Sequence, residues 1–446
     1  MCRKIVILAI IAYLHTIATT YCQQTLDQLI DNELTSLVAT YKMLHASPEL
    51  STCEEKTSAF LVKELSSLGF EVTSHFGKYD DPGLVSYGVV AVMKNGDGPV
   101  LLIRTDMDAL PVEEKTGLPY ASKVKAKNSS GQEVSVMHAC GHDLHMTCFL
   151  GTAKMLSKLK NEWSGTLILI GQPAEEDGTG ARAMLQDGLY TKFPRPDYGL
   201  ALHDTPFEVG KVGIHPGYIM ASSTSVDITI RGVGGHGSKP ETTKDPIVVA
   251  AQVILALQTI VSREISPFDP AVITVGSIQG GTRSNIIPDE VKLKLTVRTY
   301  KEEIRQKILA SIERITQDIA LAAGIPPEIA PEVSFSRLPF PAVYNNPDLT
   351  RRVTDVFTKA LGPENVLEYP PMMGSEDFSY YGLEGYEIPT CFFFLGAADP
   401  SEVARSKQNG EPLPYLHSPL FAPIPEPAIR TGVKAMTSAA LEIMKK

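Results

Sequence analysis

Met137-His138-Ala139-Cys140-Gly141-His142-Asp143 sets a thiol, an imidazole and a carboxylate within four positions. Sulfur, nitrogen and oxygen donors together suit borderline-soft divalent metals. Ligands two residues apart converge only where the backbone turns sharply, which Gly141 permits. Further donors end other apolar stretches: Asp106 and Asp108 after 100–103, Glu175 and Glu176 after 165–170, His203 after 198–202, and His417 in a Pro-rich loop. Adjacent carboxylates closing a buried strand must be paired, protonated or metal-bound, so one of Glu175 and Glu176 can ligate while the other acts as a base. Each group taken singly has a plainer reading. Glu175 and Glu176 fit a solvated acidic turn, Asp106 and Asp108 an ordinary acidic loop, His417 a surface residue, and His145, one turn beyond His142, a packed core residue. Cys140 also fits a nucleophile activated by His142 or His138 in a metal-independent thiol hydrolase.

Other elements must bring these groups together. Leu26, Leu29, Ile30, Leu34 and Leu37 recur at helical spacing, and Phe60, Leu61, Leu65 and Leu68 form a second amphipathic run ending at Gly69. The runs 85–93 and 100–103 are β-branched and apolar, and Lys94-Asn95-Gly96-Asp97-Gly98 between them predicts a hairpin. Apolar residues at helical spacing after His142 predict a buried helix, whose N-terminus favours a thiolate at Cys140. Near 219 the composition shifts. Strand 225–230, helix 246–262, strands 271–278 and 291–298, helix 302–323 and strand 331–337 give the ferredoxin-like order βαββαβ, with Asp245-Pro246 as N-cap and first helical residue. Within this stretch Gly234-Gly235-His236-Gly237-Ser238 holds an imidazole between glycines, where a ligand can approach the backbone; an exposed loop histidine is the plainer reading. A helix at 346–361, a strand at 390–395 and a helix at 427–444 return to α/β patterning. The expected fold class is α/β, a catalytic domain in two parts (23–218 and 339–446) with an inserted α+β satellite domain (219–338).

The 446 residues carry 41 Lys and Arg against 51 Asp and Glu, a net charge of -10 with no basic stripe, which argues against non-specific nucleic-acid binding. Residues 1–22 read as a secretory signal peptide: Arg3 and Lys4, an apolar run over 5–14, then Ala18-Thr19-Thr20. That run falls short of the roughly 20 residues a spanning helix needs. The expected protein is exported, periplasmic or secreted, with no membrane attachment after cleavage. Cys53, Cys140, Cys148 and Cys391 are too scattered for a disulfide framework.

Taken together, Leu44-His45, Pro48-Glu49-Leu50-Ser51, Arg104-Thr105-Asp106-Met107-Asp108, His138-Ala139-Cys140-Gly141-His142-Asp143, Gln172-Pro173-Ala174-Glu175-Glu176, Gly234-Gly235-His236, Asn285-Ile286-Ile287-Pro288, Gly374-Ser375-Glu376-Asp377-Phe378 and Leu416-His417-Ser418-Pro419 carry a resemblance. In this order they resemble the M20 metallopeptidase family, in particular its amidohydrolase subfamily of hippurate hydrolases, N-acyl-amino-acid amidohydrolases and auxin-conjugate hydrolases. The resemblance implies a mixed-sheet metallopeptidase catalytic domain and a satellite domain that serves as lid or dimerisation unit. It implies two divalent metals sharing Cys140, with His142 and His203 completing one and Glu176 and His417 the other. Mn²⁺ or Zn²⁺ is expected, and Co²⁺ or Ni²⁺ also suits these donors. Glu175 is the implied general base, Asp106 a residue behind the ligands, His236 an oxyanion stabiliser often supplied by a partner subunit of a homodimer, and Asn285 the holder of the substrate carboxylate. The implied reaction is amide hydrolysis of N-acyl amino acids, hippurate-like or N-acetyl; carboxypeptidase or dipeptidase action by the same site is the alternative. An exported binding module with a structural metal is the reading from another class.

Overall fold

The computed structural model describes residues 25–336, 340–383 and 387–446. The segment read as a signal peptide, with Cys2 and Cys22, lies outside the described residues, as does the expected satellite boundary at 338.

Eight strands form the main sheet, in the order Glu71–Thr73, Val89–Asn95, Gly165–Gln172, Val100–Asp106, Tyr198–Glu208, Thr390–Ala398, Val212–Ile214, Val366–Glu368. The four from Gly165–Gln172 to Thr390–Ala398 run parallel to one another. Gly165–Gln172 is buried along its whole length, as a parallel strand covered on both faces must be. Helices Leu26–His45, His142–Lys158 and Pro425–Ile443 bring apolar faces to one side of the sheet, through Leu37, Tyr41, Leu150, Ala153, Val433 and Met436. Met184, Phe378 and Tyr381 cover the other side. Parallel strands end at a common edge, and the donor-bearing loops leave from it.

The expected hairpin does not form. Val89–Asn95 and Val100–Asp106 both pair with Gly165–Gln172, which lies between them, antiparallel to the first and parallel to the second. Asn95, read as a turn residue, pairs with Gly165 instead, and its Nδ2 donates to the carbonyls of Lys160 and Trp163. An apolar strand loses most surface to water with neighbours on both edges, and this outweighs the local turn preference. The linking chain crosses tightly over the inserted strand: a Cβ at Gly165 would lie 2.2 Å from the Pro99 carbonyl oxygen, so the crossing needs glycine there.

Residues 222–335 build a second, four-stranded antiparallel sheet in the order Ala271–Gly280, Glu290–Thr299, Ser222–Arg231, Glu332–Phe335. Helices Pro246–Thr259 and Glu302–Ala322 pack on it, and Val226, Ile228, Val253, Leu257, Leu293 and Ile312 belong to a core separate from that of the main sheet. The chain order is βαββαβ. Asp245 accepts the Ile247 N–H with Pro246 at the first turn, and the helix widens into a π-helical turn over Ile260–Glu264. Gly217–Met220 pairs antiparallel with Val343–Asn345, so the chain leaves the main body and rejoins it side by side.

The first helix is tied to the site by buried charge. His45 Nδ1 lies 2.7 Å from Asp143 Oδ2 and Nε2 lies 3.0 Å from Glu114 Oε1. Burial alone lowers the imidazole pKa, but these two carboxylates outweigh it and raise it to about 10. A histidine whose pKa rises on folding contributes stability that is full below the unfolded value, 6.5, and is lost as pH climbs through about 10. Denaturant titrations at spaced pH should therefore show wild type losing stability more steeply than His45→Gln across that window. Equal slopes would mean that His45 is neutral in the folded protein.

Candidate active site

Register fixes the first half of the site. Asp106 pairs with Gln172, so the chains beyond these two parallel strands emerge side by side. The Asp108 carboxylate accepts the Glu175 N–H at 3.1 Å, the Glu176 N–H at 3.0 Å and the Ser51 hydroxyl at 2.6 Å. The acidic loop turns at Ala174, whose φ of 48° is left-handed, and its N–H donates to Glu54 Oε1 at 2.8 Å. Gly141 turns the second half. It has a φ of 77° ahead of helix His142–Lys158, and a Cβ there would lie 2.2 Å from Asp204 Oδ1, so both backbone and space demand glycine.

These turns bring most of the expected donors together. Cys140 Sγ lies 3.5 Å from His203 Nε2 and 3.3 Å from His417 Nε2, and His417 Nε2 lies 3.4 Å from Glu176 Oε1. His142 Nε2 is 4.0 Å from both Glu175 Oε2 and Glu176 Oε1. The donor atoms of Cys140, His142 and His203 all lie within 4.8 Å of one another, as do those of Cys140, Glu176 and His417. Cys140 belongs to both sets. The rings are aimed from behind: His142 Nδ1 donates to the Asp108 carbonyl at 2.8 Å and His203 Nδ1 to the Asp204 carbonyl at 2.6 Å, which turns each Nε2 toward the other donors as the nitrogen left to ligate. His142 Nε2 and Glu176 Oε1 are buried without a hydrogen-bond partner among the described residues. Buried polar atoms need partners, and a divalent cation partners sulfur, nitrogen and oxygen at once. The residues fit a metal centre.

The electrostatics point the same way. Burial pushes the Cys140 thiol pKa well up, and Glu176, Glu175, Asp204 and Asp106 add to it. The helix N-terminus, expected to favour a thiolate, is outweighed by burial first and by these carboxylates second. An activated cysteine nucleophile needs the opposite shift, so a thiolate here requires cationic charge beside it. Burial also lifts Glu175 well above the carboxylate range, reinforced by Glu376 and Glu176.

Several residues that sequence reasoning passed over support this floor. Arg104 is buried, with Nη1 2.7 Å from Asp106 Oδ2 and Nη2 2.7 Å from Glu376 Oε1 and 3.0 Å from Asp377 Oδ1. His145 is buried but is no mere packing residue: it bridges Asp106 Oδ1 at 2.7 Å and Asp204 Oδ1 at 3.1 Å. Its place one turn beyond His142 was the available sign. Asp106 itself sits 3.7 Å from His142 Nε2. A cavity of about 580 Å³ opens over Cys140, Glu175, Glu176, His203 and His417, and Arg298 lines it. Arg298 belongs to no motif read from the sequence.

His236 and Asn285 do not line this cavity. His236 is exposed on a two-residue strand paired with Ile287 and Ile286, the residues that follow Asn285. Its Nδ1 accepts the Ser238 N–H at 3.1 Å, and the Gly237 N–H donates to the Asn285 carbonyl. The two residues are neighbours of each other rather than of the donor cluster.

Glu54→Ala leaves the buried Ala174 N–H unpaired and its strained turn unsupported, and should cost about 1–3 kcal/mol in denaturant unfolding. Adding Ala174→Gly, which removes the penalty on positive φ, should recover part of that loss. No recovery would show that Glu54 acts elsewhere.

Comparison with known proteins agrees with this geometry. Residues 102–440 match peptidase family M20/M25/M40. The chain is 38% identical over 362 residues to the N-acetyl-L-cysteine deacetylase of Bacillus subtilis (strain 168), covering 81% of this chain and 80% of the relative. It is 35% identical over 408 residues to thermostable carboxypeptidase 2 of Saccharolobus solfataricus, covering 91% and 94%. A dinuclear metal-binding M20 peptidase of Bacillus subtilis superposes with a TM-score of 0.73 at 31% identity, over 93% of this chain and 99% of that one. With its mixed sheet, its convergent donor cluster and these relatives, the chain belongs to the M20 peptidase family and is a hydrolase of amide or peptide bonds.

Proposed function

We propose that the protein is a two-metal amidohydrolase that cleaves the amide bond of N-acyl amino acids. The observation that carries this is Cys140, a buried thiol common to two separate donor sets. Cys140 would be shared, with His142 and His203 on one metal and Glu176 and His417 on the other; Mn²⁺ or Zn²⁺ is the favoured pair. Bound there, divalent ions supply Lewis-acid polarisation of the scissile carbonyl and activation of water. Glu175 is the general base: its backbone is held by Asp108 and its carboxylate opens on the cavity, so it can take the water's proton and pass it to the leaving amine. Arg298 is the cation available for the substrate carboxylate, a role expected of Asn285 from the sequence.

His236 and Asn285 then serve a second copy of the chain, His236 as the oxyanion donor. Support comes from the satellite surface. Helix Pro246–Thr259 buries Val249, Val253 and Leu257 yet exposes Ile247, Val248 and Leu255, and Ile278 is exposed on the edge strand Ala271–Gly280. A helix apolar all round beside an open sheet edge calls for a partner.

Free amino acid released from N-acyl amino acids, after metal stripping and reconstitution, tests the chemistry. Glu175→Gln should lower turnover by at least about a hundredfold with metal content unchanged; activity that survives chelation refutes the metal mechanism. Light scattering with His236→Ala tests the dimer: the variant should stay dimeric and lose turnover, and a fully active wild-type monomer would sink this assignment. The carboxypeptidase relative favours a second reading, peptide cleavage by the same residues. In that case dipeptides would outrank N-acyl amino acids in the same assay.

A further inference from the structure

We infer that the amino-acid half of the substrate is apolar and carries a single carboxylate, selected by Met220, Met372 and Met373 beside Arg298. This rests on the amidohydrolase reading above. Away from the donor cluster these methionines with Phe340 and Leu416 are the apolar part of the lining, Ser223, Ser375 and Tyr415 add hydroxyls, and Arg298 is its one Lys or Arg among the described residues. Arg298 Nη1 donates to the Met373 carbonyl at 2.6 Å and to Ser375 Oγ at 3.1 Å, so guanidinium and methionines share one wall. The wall's backbone is fixed. Met220 bridges Met372, the Ala221 N–H donates to the Gly374 carbonyl at 2.8 Å, and the Tyr300 hydroxyl donates to the Met372 carbonyl at 3.2 Å. The side chains converge on Gly374, where a Cβ would lie 3.2 Å from Met220 Cε and 3.5 Å from Met372 Sδ.

A carboxylate held by Arg298 leaves the side chain, attached to the same Cα, against this wall. Methionine is unbranched and polarisable, and it adapts to aliphatic and aromatic groups alike. Glycine would leave the thioethers facing a void. A second carboxylate on that side chain would meet methionine thioethers with no second Lys or Arg in the wall, which costs unpaired buried charge. N-acyl derivatives of leucine, methionine and phenylalanine should therefore outrank those of glycine, aspartate and glutamate.

The test is calorimetric binding of the free amino acids to the metal-loaded protein, beside turnover of one acyl group on each of them. L-Leucine, L-methionine and L-phenylalanine should bind at least about tenfold tighter than glycine or L-glutamate. Met372→Arg, which adds a cation to the wall, should move the leucine-to-glutamate ratio toward glutamate by at least about tenfold; Met220→Ala should shrink the leucine-to-glycine ratio. Glycine or glutamate binding as tightly as leucine, or no measurable binding of any of them, overturns the inference. Turnover separates the two levels: no hydrolysis of any N-acyl amino acid sinks the amidohydrolase reading itself, whereas hydrolysis that ranks glycine or glutamate with leucine sinks only the selectivity.

Discussion

The Asp108 carboxylate is the joint on which the site depends. It receives the N–H groups of both Glu175 and Glu176 and the hydroxyl of Ser51, while the carbonyl of the same residue orients His142. One residue thus sets the direction of the proposed base and of two proposed ligands. It can do so because two neighbouring parallel strands are in register up to Asp106 and Gln172. Moving either strand by one residue would turn its whole side-chain pattern over and break that join.

The second constraint is charge. Asp106, Glu376 and Asp377 converge on the Arg104 guanidinium, and His145 spans Asp106 and Asp204. These pairs satisfy the layer behind the donors, where an unpaired buried charge would cost several kcal/mol. In the front layer, beside Cys140 and Glu175, they leave His142 Nε2 and Glu176 Oε1 buried without a hydrogen-bond partner among the described residues. Left-handed backbone at Ala174 and His417 is part of the same construction. Strain at such positions persists where surrounding bonds hold it; Glu54 grips the Ala174 N–H, and the His417 N–H donates to the Ala139 carbonyl.

Much of this was legible in the chain because the donors are of unusual type and sit at the ends of strongly apolar runs. Helix Leu26–His45 and the βαββαβ order of 222–335 follow from periodicity and capping, which are local. What escaped was long-range. The Asn-Gly turn signal is real chemistry but has no information about Gly165–Gln172, seventy residues later, wedging between the two strands it joins. Nothing near His145 in sequence announces Asp204, and Arg298 closes a predicted strand while its carbonyl partner, Met373, lies far along the chain. The helix terminus beside Cys140 favours a thiolate; the burial that reverses this is a product of the whole fold, and the carboxylates that add to it come from three other segments.

The account stands or falls on Cys140 as a shared ligand, and metal stoichiometry reads that directly. Elemental analysis of purified, reconstituted protein should give two divalent ions per chain in wild type, and Cys140→Ala should lose both, since each donor set contains this sulfur. Two ions retained by a folded Cys140→Ala protein, or a wild type that never takes up more than one, would contradict it.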